Sequence, residues 1–257
     1  MTAPLAVDHR PGPGPLVVFL HAGVADRRSW ADALPAGAST LTYDRRGFGR
    51  SPLPGQEFTH LGDLRDLLAT HGPAVLVGSS MGGGLALDAA LELPELVRGL
   101  VLLAPAVSGA PEPQEADPRT LELDAAAESA AAAGDVERTV ELEAQLWLDG
   151  PRSAPGRVGG AARELFRDMD RIAVRNQAFA HGHCRVEAWS RLGELRVPVT
   201  IATGDLDCGY LLTRTTELLE RVPGARRADL PGTAHLPYLE RPDLVRNLVE
   251  EFLQHLA

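Results

Sequence analysis

The chain has 257 residues, 25 of them basic and 35 acidic, for a formal charge of −10, and 44% are hydrophobic. That is one domain of enzyme size with enough apolar sequence for a core, which excludes a disordered, collagenous or coiled-coil chain. All 25 basic residues are arginine, so no lysine is present for a Schiff base, a pyridoxal phosphate anchor or a P-loop.

The acidic balance argues against nucleic acid and anionic membranes as partners, since both need clustered positive charge. Residues Met1 to Asp8 lack a basic stretch followed by an apolar one, and no run approaches the ~20 apolar residues of a membrane span. Cys184 and Cys208 alone imply neither a disulfide framework nor a structural zinc site. These features predict a soluble, cytoplasmic protein.

Short runs rich in Val and Leu read as strands buried on both faces: Leu16–His21, Thr40–Asp44, Pro73–Ser79, Gly99–Pro105, Val199–Gly204 and Arg226–Pro231. Helix-length segments alternate with them, at Leu61–Thr70, Gly82–Leu93, Tyr210–Val222 and Asp243–Leu256. Strand and helix in alternation predict an α/β fold with a mainly parallel sheet. The rhythm stops between Val107 and about Leu195, where a Pro- and Gly-rich stretch from Ser108 to Pro118 leads into helices.

Asp117 is placed to cap the first of these helices with Pro118 at its first position, and Gly134 to end it. Asp135 restarts the chain, Val136, Val140, Ala144 and Trp147 share a face, and Asp149-Gly150-Pro151 stops it. A third helix carries Leu165, Met169, Ile172 and Phe179. The division expected is a core of residues 1–107 and 195–257 with a helical lid of residues 108–194, whose apolar stripes need something to cover.

The sharpest motif is Gly78-Ser79-Ser80-Met81-Gly82, a G-x-S-x-G directly after an apolar strand and directly before an Ala/Leu helix. A nucleophile on a tight strand-to-helix turn has a strained backbone and close neighbours, so glycine is wanted two positions either side. Ser80 meets that requirement. A serine hydroxyl also needs a base and a third group that fixes the base's tautomer. Gly204-Asp205-Leu206-Asp207 follows a later strand, and Pro231-Gly232-Thr233-Ala234-His235 follows the last one, in the order nucleophile, acid, histidine.

With these segments the chain resembles the α/β-hydrolases of the group that includes enol-lactonases, small-molecule esterases, C-C hydrolases and cofactor-free haloperoxidases. Leu20-His21-Ala22-Gly23, the tract Tyr43 to Ser51, and Glu240-Arg241-Pro242 complete the match. The resemblance implies an α/β-hydrolase fold with the lid after the sixth strand, Ser80 as nucleophile, His235 as base and Asp207, rather than Asp205, as the acid that orients it. It also implies an oxyanion hole from the Gly23 and Met81 amides, with Val24 as the alternative to Gly23, in a loop where Ala22 stands for the usual glycine. His21 reads as a structural hydrogen-bonding residue.

The activity implied is hydrolysis of a small carboxylic ester or lactone through an acyl-enzyme, with no cofactor or metal. C-C bond hydrolysis, perhydrolysis, or a non-catalytic ligand receptor on the same fold are the alternatives. His181, His183 and Cys184 form an H-x-H-C run that reads as a hinge facing the pocket rather than a metal site, and Glu112 to Glu115 reads as a solvated loop. Trp147, Phe166, Met169, Phe179 and His181 are candidate pocket residues; the four apolar ones serve equally well as lid core.

Overall fold

The computed structural model describes residues 4–112 and 117–256; the stretch Glu112 to Glu115 therefore lies largely outside the described residues. Seven strands, β1 (Val7–Arg10), β2 (Leu16–Leu20), β3 (Ser39–Tyr43), β4 (Ala74–Ser79), β5 (Val97–Leu103), β6 (Val199–Gly204) and β7 (Arg226–Leu230), form one sheet in the order β1-β3-β2-β4-β5-β6-β7. Every neighbouring pair is parallel except β1 with β3. β1 is the strand the sequence pattern omits, because Val-Asp-His-Arg is largely exposed at the sheet edge and carries no apolar run.

Alternation along the central strands divides the core in two, as the two-residue side-chain period of a strand requires. Val17, Phe19, Val75, Val77, Val101 and Leu103 face one layer, and Val18, Leu20, Leu76, Leu100 and Leu102 face the other. Helices α1 (His60–His71) and α2 (Met81–Glu92) supply Leu64, Leu68 and Leu87 to the second layer.

The insert leaves the sheet after the fifth strand of this sheet rather than the sixth, and rejoins it at β6. It carries α3 (Pro118–Ala132), α4 (Val136–Glu143), α5 (Gly160–Arg175) and the short α6 (Ala188–Arg191). Its punctuation follows the sequence: the Asp117 and Asp135 side chains accept from the Thr120 and Arg138 amides, and Gly134 and Gly150 adopt positive φ. The third helix ends at Arg175, short of Phe179, where Gln177 turns left-handed. Beyond the insert come α7 (Gly209–Arg221), α8 (Pro237–Glu240) and α9 (Pro242–Leu256); α7 supplies Leu218 to the second layer, and α9 packs Val245, Val249 and Phe252 on the first.

Candidate active site

The turn between β4 and α2 carries Ser80 at φ 51° and ψ −117°, a conformation that costs an L-residue energy and persists only where surroundings over-determine it. Three backbone hydrogen bonds fix it: its amide donates to Leu103 O, and its carbonyl accepts from Gly84 and Ala106. The flanking glycines are steric necessities. A Cβ on Gly78 would stand 2.5 Å from Gly82 O, and one on Gly82 2.1 Å from Leu20 O. Met81 opens α2, so its N–H has no acceptor within the helix.

His235 lies in the loop after β7, with Nδ1 2.9 Å from Asp207 Oδ2. Both side chains are buried. The other Asp207 oxygen accepts from the Cys208 amide at 2.7 Å, so the carboxylate is held from both ends. Asp205, two residues earlier, is exposed and instead accepts from the Gly232 amide at 2.7 Å. Gly204 lets the two loops touch, since a Cβ there would meet Thr233 O at 2.2 Å.

Glu240 ends α8, and the spacing of the motifs does not reveal its function. Its carboxylate accepts from the Ala234 amide at 2.9 Å and pairs with Arg157 of the insert. Arg157 also donates to Asp149 O at 2.6 Å and Leu148 O at 2.9 Å. The His235 amide meets Trp147 O at 3.3 Å. The insert is thereby clamped to the histidine loop.

The loop after β2 holds His21, Ala22 and Gly23. His21 Nε2 accepts from the Arg45 amide at 3.1 Å, which puts the ring proton on Nδ1, and Nδ1–H donates to Ala22 O at 2.8 Å. Burial and the adjacent Arg45 hold this imidazole well below its ordinary pKa. Arg45 Nη2 adds a bond to Ala22 O at 3.1 Å. In a trans peptide the carbonyl and the following N–H point in opposite directions, so anchoring Ala22 O aims the Gly23 N–H to the far side. Val24, the alternative donor, is buried in the first core layer.

Ser80 and His235 line a cavity of about 200 Å³ together with Ala104, Pro105, Ala106, Val107, Ala110, Trp147, Tyr210, Leu211 and Arg214. A larger groove of about 700 Å³ runs between β7 and α9, but it holds neither Ser80 nor His235. Of the five candidate pocket residues Trp147 reaches the cavity, its ring centroid 4.8 Å from that of His235. Phe166 and Met169 do not: both are packed among Trp30, Leu148 and Tyr238 in the core, because the apolar face of α5 is consumed in docking the insert. Phe179 is 43% exposed and lies over Gly23, where a Cβ would meet its ring at 2.2 Å. His181 borders a surface groove beside Arg46 and Phe58 rather than the serine. Tyr210, Leu211 and Arg214, which do line the cavity, come from the start of α7, where no motif marks them.

A model of the alpha/beta hydrolase family matches residues 17–248. A pimeloyl-acyl-carrier protein methyl ester esterase of Aeromonas hydrophila is 28% identical over 253 residues, covering 94% of this chain and 96% of its own. Among solved structures, a bromoperoxidase from Bacillus anthracis superposes with a TM-score of 0.79 at 21% identity, over 98% of this chain and 96% of that one. An N-acyl homoserine lactone degrading enzyme does so with a TM-score of 0.73 at 23% identity, over 96% of each chain.

Proposed function

Because the chain belongs to the alpha/beta hydrolase family, we propose that it hydrolyses a small-molecule carboxylic ester or lactone through an acyl-enzyme on Ser80, with His235 as base and Asp207 as its orienter. The observation that carries this reading is the buried His235 Nδ1–Asp207 contact of 2.9 Å on the cavity that also holds the strained Ser80. The relative from Aeromonas hydrophila is named for a methyl ester and a structural neighbour for a lactone, both carboxylic esters in the chemical sense.

Asp207 accepts a hydrogen bond from the His235 Nδ1–H, leaving the Nε2 lone pair to take the Ser80 proton as Oγ attacks the carbonyl carbon. The oxyanion that forms is met by the Met81 and Gly23 amides, which are fixed before reaction and so need no reorganisation. Collapse of the tetrahedral species breaks the ester bond, and the imidazolium returns its proton to the leaving alcohol. His235 then deprotonates a water that attacks the acyl carbon, releasing the acid and restoring Ser80.

The residues 108–194 act in this reading as a lid: Trp147 closes the cavity above His235 and sets an apolar wall. A fluorophosphonate probe is expected to label Ser80 stoichiometrically, and Ser80→Ala to lose at least ~10³-fold in kcat while remaining folded. Label on Ser79, or full turnover by Ser80→Ala, overturns the assignment.

A further inference from the structure

Beside the serine's cavity lies a second one of about 210 Å³, whose lining includes Arg45, His60, Met81, Asp88, Ser108 and His183. Ala106 and Val107 line both cavities. Arg45 is only 1% exposed, yet among the described residues its Nε and Nη1 have no hydrogen-bond partner. Two carboxylates around this turn are already engaged, Asp44 by Arg27 and Asp63 by Arg46. Taking a lone guanidinium out of water costs several kcal/mol unless an anion meets it. Two peptide carbonyls, at 2.8 and 3.1 Å from Nη2, and the Phe48 ring, 4.8 Å from Cζ, offset part of that cost without supplying negative charge.

His60 stands beside it, 4% exposed, its ring approaching the His181 carbonyl but with neither nitrogen in a well-formed hydrogen bond among the described residues. Burial and the Arg45 and His183 charges push its pKa down to about 2, so it is a neutral ring with one N–H to give and one lone pair to receive. Asp88 lines the same cavity, its Oδ1 accepting from the Ser108 hydroxyl at 2.8 Å. One unpaired cation and one carboxyl in a single cavity suit a monoanion held by Arg45. A phosphate dianion would place two negative charges against one positive and add to the charge of Asp88.

We propose that this cavity is a binding site for a small carboxylate, with Arg45 supplying the charge and His60 an N–H donor. The site does not depend on the ester chemistry proposed above. Its carboxylate comes either from the substrate itself, as the free acid end of a half-ester, or as a separate small acid of the kind that ester hydrolysis releases.

The test uses Ser80→Ala, in which no turnover can intervene, and compares sodium butyrate with butyramide at matched ionic strength. Butyrate is expected to raise Tm saturably by at least ~2 °C, a shift that a chain of this size shows for somewhat less than 1 kcal/mol, and butyramide is expected not to. Adding Arg45→Met abolishes the shift. Should that variant not fold, His60→Leu in the Ser80→Ala background weakens the apparent butyrate affinity at least ~5-fold.

Equal responses to acid and amide, no response to either, or a butyrate shift undiminished by these substitutions overturns the site. In the wild type the source is read by pH-stat from methyl hydrogen succinate against methyl butyrate. At least a tenfold preference in kcat/KM for the former means that the substrate brings the carboxylate, and no preference beside an intact butyrate shift means that a separate acid fills the site. A wild type that cleaves no ester while Ser80→Ala still distinguishes butyrate from butyramide removes the esterase reading and leaves the site standing.

Discussion

Asp205 and Asp207 are chemically identical and two residues apart, and their surroundings give them different tasks. Asp207 is buried against His235 Nδ1 and the Cys208 amide, whereas Asp205 is exposed and accepts one backbone N–H from Gly232. An asparagine at 207 forces the imidazole into the wrong tautomer, so Asp207→Asn is expected to lower kcat at least ~10³-fold. At 205 an asparagine keeps an acceptor oxygen for Gly232, and Asp205→Asn is expected to leave kcat within about threefold, with the change confined to Tm. Steady-state kinetics on both variants decide, and equal losses would remove Asp207 as the orienter. The preference for Asp207 came from the family resemblance, in which the acid stands three residues after a glycine such as Gly204, whereas the tight turn around Ser80 was marked by its own glycines. Arg45 and Arg46 were not separable in that way. Both sit in one arginine- and glycine-rich turn braced by Asp44, which accepts from Arg27 and from the Arg50 amide, yet Arg46 pairs with Asp63 while Arg45 turns inward to the carbonyls of the His21 loop. Which way neighbouring side chains of a turn point depends on three-dimensional neighbours, and no periodicity reports them.

Helices α4 and α5, joined at their rim by the Arg167–Glu141 and Arg171–Glu137 ion pairs, bring two acids together in their buried contact. Among the described residues the Asp170 oxygens meet no donor other than the Glu143 carboxyl itself. Burial first, and the Glu143 carboxyl second, hold the Asp170 carboxyl well above its usual range. The folded state therefore keeps a proton that the unfolded chain releases near pH 4, so unfolding sheds a proton above that pH and stability falls as pH rises. Asp170→Asn removes the penalty while leaving an N–H to offer Glu143. It is expected to raise stability at pH 8 by about 1–2 kcal/mol, a few degrees in Tm, and to do little at pH 4. Melts at the two pH values check this, and a gain at pH 4 equal to that at pH 8 contradicts it. The helices of the insert were readable from their caps, because Asp117, Asp135, Gly134 and Gly150 act through local backbone geometry. What their apolar faces cover was not. Phe166 and Met169 sit at helical spacing on α5, and that spacing says only that they face inward; the structure spends them on packing against Trp30 and Tyr238 and leaves the cavity wall to Trp147 and to the first turn of α7.

At the scale of the whole molecule, the sheet supplies Ser80 from one strand end and Asp207 and His235 from two others, and the insert is tied to the last of these through Arg157, Glu240 and the Trp147 carbonyl. Six of the strand segments and the tight turn at Ser80 were legible in the sequence, because hydrophobic period and glycine sterics are local. The size of the cavity was not, since it depends on how far the insert descends and on α7, which begins directly after Asp207. At about 200 Å³ the cavity is smaller than the sites that usually hold drug-sized ligands, so the acyl or alcohol group that enters it is short. Each methylene that finds room adds about 0.8 kcal/mol of transfer free energy, close to a fourfold gain, until the far wall is reached. For p-nitrophenyl esters kcat/KM is therefore expected to climb from acetate to butyrate and to fall by octanoate. Leu211 lines the cavity and touches neither Asp207 nor His235 through a hydrogen bond. Leu211→Ala empties three carbons' worth of wall and is expected to move the optimum two to three methylenes longer with kcat on acetate little changed. An optimum that stays at butyrate in Leu211→Ala would mean that the chain lies elsewhere, and a wild type indifferent to chain length would mean that this cavity does not hold it at all.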